Sequence, residues 1–304
     1  MNSLAEQIQH GGGLTIINLG CIGDLDWDLQ AEIKRVTTLV EIDALGASRN
    51  ASSDYQRLIK LSGKVVGWEA GKRTFRENQF VGCSSLLEPK DELVSDFGIQ
   101  RYYDLKHRSV VECQTIAQIR QEHSIDSISC LKMDLEGADA LVLRSCESFL
   151  DRIGIIQAEL RFKPMYEGEP FIHETMAWLH ANGFELVTLN VEYWKYQTPR
   201  RFRQSRGNAV FADCIFRNTR ASVSMLAQQI LILKMLGLEN TAEHLLLKHQ
   251  AALEAQFAFG DFKRALSFRR KPLKSVLHEI RMFFYPIEMK LKQSIGRSSH
   301  YSRR

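Results

Sequence analysis

The residues best suited to chemistry in this sequence are acids and glycines placed where apolar runs end. In "CLKMDLEGADALVL", residues 130–143, an apolar run stops at Asp134, Leu135, Glu136 and Gly137 and turns at once into a helical pattern. A buried strand interior has no use for two carboxylates, so both lie where the strand leaves its sheet. There they can favour the dipole of the next helix, or they can hold a ligand as proton acceptors or as oxygen ligands to a divalent metal. In "NLGCIGD", residues 18–24, Gly20 and Gly23 follow another apolar run. Glycines there allow a plain tight turn, or the close approach of a ligand to backbone N–H groups. In "VEID", residues 40–43, Glu41 and Asp43 end a second run. Glu41 stands about 20 residues past the glycine turn, the distance at which an acid holds ribose hydroxyls in dinucleotide-binding units. The plain alternative is a solvated strand end.

These residues need a scaffold, and the hydrophobic pattern supplies one. "LTIINLG" reads as a buried strand followed by a helix in "DLDWDLQAEIKR", and "RVTTLVEID" as a second strand. "KVVGWEAG" and "KRTFREN" read as a hairpin turning at Gly71–Lys72. "SVVECQT" is a strand and "IAQIRQEH" a short helix; "ISCLKMDLEG" then leads into a helix with Ala138, Leu141, Val142, Ser145 and Phe149 on one face. "GIIQAELRF" is the next strand, and "FIHETMAWLHANG" a helix stopped by Gly183. "FELVTLNVEYW" and "NAVFADCIFRN" are two late strands with no helix between them. Strands alternating with helices give a mostly parallel sheet, the last pair gives an antiparallel edge, and ligands bind at the carboxyl ends of such strands. Past residue 219, "SVSMLAQQILILKMLG" and "NTAEHLLLKHQAALEAQF" read as a helical hairpin. The expected divisions are an α/β domain over 1–218, the hairpin over 219–261 and a basic tail over 262–304.

The 304 residues, 44% hydrophobic and 25% charged, are an ordinary globular composition. No apolar run is long enough to span a bilayer, and "MNSLAEQIQHGGG" lacks the features of a signal peptide. Six dispersed cysteines without a C-x-x-C pair read as small buried thiols in a reducing, cytoplasmic setting. The nine histidines show no metal-binding spacing. Lys132, inside an apolar strand, either reaches out to water or touches a ligand or Glu136. Trp194 and Tyr196 are candidates to flank an acceptor. The net charge of +4 hides a tail, Phe262 to Arg304, with twelve Lys or Arg and two Glu. That tail suits an anionic membrane surface or plain solvation; nucleic-acid binding is disfavoured because no recognised module accompanies it.

"LKMDLEGADALVL" resembles the signature of the FkbM family of S-adenosylmethionine-dependent methyltransferases, K-[IM]-D-[VL]-E-G-[AH]-[ED] followed by an apolar helix. The glycine turn, Glu41, "TFRENQFVGCSSL", "IIQAEL" and "GFEL" fall in the family's order, so that the similarity runs over roughly residues 12–217. The resemblance implies a class I methyltransferase fold, Rossmann-like, with a mostly parallel seven-stranded sheet, an antiparallel edge strand and here an α-helical C-terminal extension. It implies S-adenosyl-L-methionine as cofactor and methyl transfer to a hydroxyl of a sugar, glycan or lipid-linked acceptor. Mapped onto this chain, Asn18, Gly20, Gly23, Glu41 and Asp43 would bind the cofactor. Asp134 and Glu136 would stand at the reacting centre. A divalent metal on Asp134, Glu136 and Glu159 is the alternative means of lowering the hydroxyl's pKa. Asn18 stands where the family has Asp, and Cys21-Ile22 where Ala-Asn is common. A catalytically weak or inactive binding protein on the same fold is therefore the rival reading. A nicotinamide oxidoreductase is disfavoured, because "NLGCIG" lacks the third glycine of G-x-G-x-x-G.

Overall fold

A computed structural model describes residues 8–9, 12–20, 31–45, 54–198, 206–257 and 260. Gly23, Cys21-Ile22, the first part of the expected helix after the glycine turn, and the basic tail lie outside the described residues. In chain order the elements are β1 (Leu14–Leu19), α1 (Ala31–Lys34), β2 (Thr37–Asp43), β3 (Arg57–Ser62), β4 (Val65–Val66), β5 (Gly71–Asn78), α2 (Asp91–Phe97) and α3 (Gln100–Tyr103). There follow β6 (Leu105–Gln114), α4 (Ile116–Glu122), β7 (Ile128–Met133), α5 (Asp139–Ser145), β8 (Ile153–Arg161) and α6 (Ile172–Ala181). The last are β9 (Phe184–Trp194), β10 (Asn208–Asn218), α7 (Val223–Met235), α8 (Glu239–Lys248) and α9 (Gln250–Gln256).

The main sheet has seven strands in the order β3-β2-β1-β7-β8-β10-β9. All pairs from β3 to β8 are parallel, and β10 is antiparallel to both its neighbours. The reversed strand is thus the last in sequence and sits one place in from the edge, with β9 outside it. The chain builds outward from β1 through β2 to β3, then returns to β7 on β1's other side. That reversal is a topological switch point, where the helices diverge and leave a crevice at the carboxyl ends of the strands. The ends of β1 and β7 therefore face a ligand site by topology alone.

One face of the sheet carries Ile17, Leu19, Val40, Ile42, Leu131, Met133, Ile156 and Ala158, which form a continuous core with residues of α4, α5 and α6. Near-continuous apolar runs are what strands buried on both faces require. α4 begins with a capping box at Thr115 and Gln118, which satisfies two donors of its first turn. Three local expectations are corrected. Val65–Val66 and Gly71–Asn78 do not form a hairpin; β4 and β5 both pair with β6, in a separate three-stranded sheet ordered β4-β6-β5. The helix after Glu136 is shorter than its apolar face suggested: it ends at Ser145, where Cys146 (φ −88°, ψ 1°) leaves helical geometry, and Phe149 lies in a separate 3-10 stretch, Glu147–Arg152. The second C-terminal helix breaks at His249 into α8 and α9.

α7 packs against β7 and β8 outside that core cluster, and two buried glutamines tie it there. Gln228 accepts from the Ser129 hydroxyl (2.9 Å) and donates to the Gly13 carbonyl (2.9 Å). Gln229 donates to the carbonyls of Gly154 (3.1 Å) and Asn218 (2.8 Å). A buried polar group is costly once its partner is lost. Gln228→Leu should therefore lower stability by about 1–3 kcal/mol, read as a drop of several degrees in Tm; an unchanged Tm would show that the α7 contact contributes nothing. Among the described residues no helix is long and apolar enough to cross a membrane.

Candidate active site

A cavity opens at the carboxyl ends of β1, β2 and β7. Its wall includes Asn18, Gly20, Ile42, Asp43, Leu45, Val65, Val66, Lys132, Asp134 and Glu136. Val81, Gly82, Ser84 and Ser85 line it from the turn after β5. Gly20 is in the left-handed region (φ +70°), and a Cβ built on it would fall 1.9 Å from the Asp134 carbonyl oxygen. Its N–H donates to Ile42, while the Asp134 N–H donates to Leu19. Only glycine lets β1 leave the sheet this close to the end of β7, so the glycine after β1 fixes where Asp134 stands.

The "DLEGAD" segment divides its acids among three tasks. Asp134 follows β7, is exposed and lines the cavity. Glu136 turns the chain with a positive φ of 48°, rare for a non-glycine residue. Its carboxylate accepts from Arg161 (2.9 Å) and from the Tyr166 hydroxyl (3.0 Å), and its carbonyl accepts from the Ser85 hydroxyl (2.7 Å). Asp139 turns back instead and accepts from the Leu135 N–H (3.0 Å). No side-chain hydrogen bond caps α5 at Ala138. Capping is thus not what Asp134 and Glu136 do. Gly137 (φ +90°) completes the turn; a Cβ there would collide with the Tyr166 ring at 2.6 Å.

At the centre of this acid group lies Arg161, 3% exposed. Besides Glu136 it pairs with Glu159 (2.5 Å) and Glu169 (3.3 Å). Burial pushes Glu136 up to about 7, Arg161 pulls against that shift, and Asp134 adds to it. Burial also raises Glu159, Asp139 and Glu169. For Arg161, burial disfavours the charge, but Glu159 and Glu136 outweigh it and hold the guanidinium firmly protonated. Asp134, Glu136 and Glu159 can each offer one oxygen, all within 4.8 Å of one another. Arg161 already compensates two of those three carboxylates, so the cluster has its cation within the chain.

The remaining candidates separate by strand register. Lys132, Asn18, Glu41 and Lys60 are cross-strand neighbours in one row on one face. Asn18 and Lys132 line the cavity. Glu41, 2% exposed, is not on the wall and pairs with Lys60 at 3.8 Å. Asp43, two residues on, does line the cavity and accepts from the Leu45 N–H (2.8 Å). Trp194 and Tyr196 pack on Phe97, at ring-centroid distances of 5.6 and 4.7 Å. Sequence reasoning missed Arg161, Tyr166 and Glu169. The available signal was in β8, where Gln157, Glu159 and Arg161 alternate onto one face of a strand whose other residues are apolar or glycine.

Residues 44–186 match the model of the methyltransferase FkbM domain. The similarity to the FkbM methyltransferase domain covers residues 44–186, a little under half of the chain. The match holds Asp134, Glu136, Glu159 and Arg161, and begins one residue after Asp43. A protein of the NADB-Rossmann superfamily from Streptococcus agalactiae is 12% identical, with 88% of this chain and 98% of that one covered and a TM-score of 0.25. An S-adenosylmethionine-dependent methyltransferase from Anabaena variabilis ATCC 29413 is 9% identical, with 67% and 77% covered and a TM-score of 0.27. Scores this low add nothing to the fold, which rests on the strand order described above. No curated protein matches the chain. Within the matched residues, Asp134 is exposed on the cavity wall, Glu136 is held by Arg161 and Asp139 is turned back onto the Leu135 N–H.

Proposed function

We propose that the protein transfers a methyl group from S-adenosylmethionine to a hydroxyl of a small-molecule or glycan acceptor, with Asp134 as the proton acceptor. The observation that carries this reading is Asp134 on the cavity wall at the switch point, beside a Glu136 held by Arg161 and Tyr166. The wall suits the cofactor chemically. Ile42, Leu45, Val65 and Val66 offer an apolar slot for a base, Asp43 offers acceptors for ribose hydroxyls, and Asp134 a counter-charge for a sulfonium. S-adenosylmethionine supplies an activated methyl group for in-line displacement. The chain's own residues align the acceptor and remove its proton. Asp134 takes that proton as the acceptor oxygen becomes nucleophilic. Arg161 and Tyr166 keep the neighbouring carboxylate in place, so that the loop does not rearrange as charge moves.

The test is a calorimetric titration with S-adenosylmethionine and S-adenosylhomocysteine on wild type, Asp43→Ala and Glu41→Ala. Wild type should bind in the micromolar range. Asp43→Ala should weaken binding about tenfold or more, a loss of roughly 1.4 kcal/mol, and Glu41→Ala should weaken it less. A folded wild type that binds neither compound would refute the proposal. A larger effect from Glu41→Ala would move the ribose role from Asp43 to Glu41.

A further inference from the structure

Lys132 puts a cation on the cavity wall that no other part of the described chain uses. It lies in β7 between β1 and β8, with Asn18 and Gln157 as its cross-strand neighbours. Leu131 and Met133 face the apolar core, so its side chain points to the other face, the one that carries Asn18. Both residues line the cavity. Lys132 is half-buried, and among the described residues no hydrogen bond or ion pair holds its ammonium. Two other cations of the region are taken: Lys60 pairs with Glu41, and Arg161 with Glu136, Glu159 and Glu169. Lys64 reaches the wall too, but from the exposed turn before Val65. Gln157 stands beside Lys132 with its Oε1 buried and without a hydrogen-bond partner, and Lys132 does not donate to it. Asp213 is no ion-pair partner either, since it sits on β10 opposite Glu159, beyond β8. Burial raises the Asp213 carboxyl, Asp134 and Glu192 add to that, and Lys132 opposes it from a distance. A half-buried ammonium without an acceptor is costly, and an anion at the wall would offset that cost.

Resting on the methyl-transfer reading above, we propose that Lys132 is the carboxylate seat of this cavity and takes the α-carboxylate at the amino-acid end of the cofactor. The wall sets that direction. The apolar slot and the acceptors of Asp43 belong to β2 and β4, whereas Lys132 and Asp134 belong to β7 and its end, with β1 between. Two strand spacings, about 10 Å, separate β2 from β7. A nucleoside in the slot therefore sends its amino-acid arm past the Gly20 turn towards β7. There Asp134 meets positive charge and Lys132 negative charge, two residues apart, which is complementary to a zwitterion. Lysine suits this task as a compact charge with three rotatable donors, able to take either carboxylate oxygen.

Calorimetry tests this with S-adenosylhomocysteine and its decarboxylated counterpart, S-adenosyl-3-thiopropylamine, which keeps the amine and loses only the carboxylate. Neither carries a sulfonium, so the attraction of Asp134 for that charge does not enter. The proteins are wild type, Lys132→Met and Lys132→Gln, each checked for folding by its Tm. Wild type should bind S-adenosylhomocysteine about tenfold or more tightly than the counterpart. Both variants should bind S-adenosylhomocysteine about tenfold more weakly than wild type and should bind the two compounds equally within about twofold. A wild type that binds both compounds equally overturns the seat and leaves the methyl-transfer reading standing. So does a folded variant that still prefers S-adenosylhomocysteine tenfold, since another group would then hold the carboxylate. If neither variant folds, the wild-type comparison alone decides whether the cavity reads a carboxylate, and Lys132→Arg, which keeps the charge, should preserve the preference. No S-adenosylhomocysteine binding by folded wild type overturns the methyl-transfer reading and the seat with it.

Discussion

Asp134→Ala should cost about 10²–10⁴-fold in kcat, the usual worth of a positioned proton acceptor. Asp134→Asn should cost nearly as much. Asparagine keeps the shape and one acceptor oxygen but cannot take a proton at neutral pH. The measurement is S-adenosylhomocysteine formed with a hydroxylated acceptor that supports turnover in wild type. Two neighbouring variants make the test specific. Glu136→Gln keeps the hydrogen bonds to Arg161 and Tyr166 in outline but removes a carboxyl that titrates at about 7. If Asp134 is the acceptor, Glu136→Gln should alter the pH profile more than the plateau rate. If Glu136 is the acceptor, Glu136→Gln loses the plateau and Asp134→Asn does not. An Asp134→Ala variant with wild-type turnover would remove Asp134 from the chemistry altogether.

The sheet was legible in the sequence because its strands are apolar runs with clear ends; β9 and β10 coincide with the segments read as strands, and β1, β2, β7 and β8 begin and end within a few residues of theirs. The three-stranded sheet was not. β5 and β6 mix charged and apolar residues without a clean alternation, and nothing local says that "KVV" pairs with "CQT", about fifty residues on, rather than with its neighbour. β3 was missed because "RLIKLS" carries two charges, lies at the sheet edge and has no fully buried residue. In the site, local spacing was enough to find Asp134, Glu136 and Gly20, since each marks the end of a strand. It was not enough to separate Glu41 from Asp43. Both lie on the same face of β2, and only the three-dimensional cavity tells which one reaches it. Arg161 and Tyr166 stand 25 and 30 residues beyond Glu136, in the next strand and the loop after it. Their meeting is a product of the β7–β8 register, and no short motif encodes it.

Arg161→Met tests that meeting directly. Methionine approximates the volume and can still pack between the rings of Phe211 and Tyr166, which lie 4.9 and 5.8 Å from the guanidinium carbon. It leaves Glu136, Glu159 and Glu169 buried without their cation. Breaking a buried ion pair by removing one partner costs about 3–5 kcal/mol, which for a unit of this size means a fall in Tm of roughly 10 °C near pH 7.5. The effect must depend on pH, and its sign follows from linkage. Burial raises these carboxyls in the folded state above their unfolded values. Between the ordinary carboxyl range and about 7, where Glu136 titrates, the folded protein holds more protons than the unfolded chain. Their contribution to stability is therefore greatest at the acid end of that window and declines as pH rises through it. Without Arg161 the carboxyls are raised further, so the decline steepens and extends above 7. Arg161→Met should thus be closest to wild type near pH 5 and furthest from it near pH 8. Adding Glu136→Gln should recover part of the loss at pH 8 and little at pH 5. Thermal unfolding of wild type, Arg161→Met and the double variant from pH 5 to 8 checks this. Parallel curves would mean that Arg161 stabilises by packing alone, and that the acids of the signature do not depend on it for their charge.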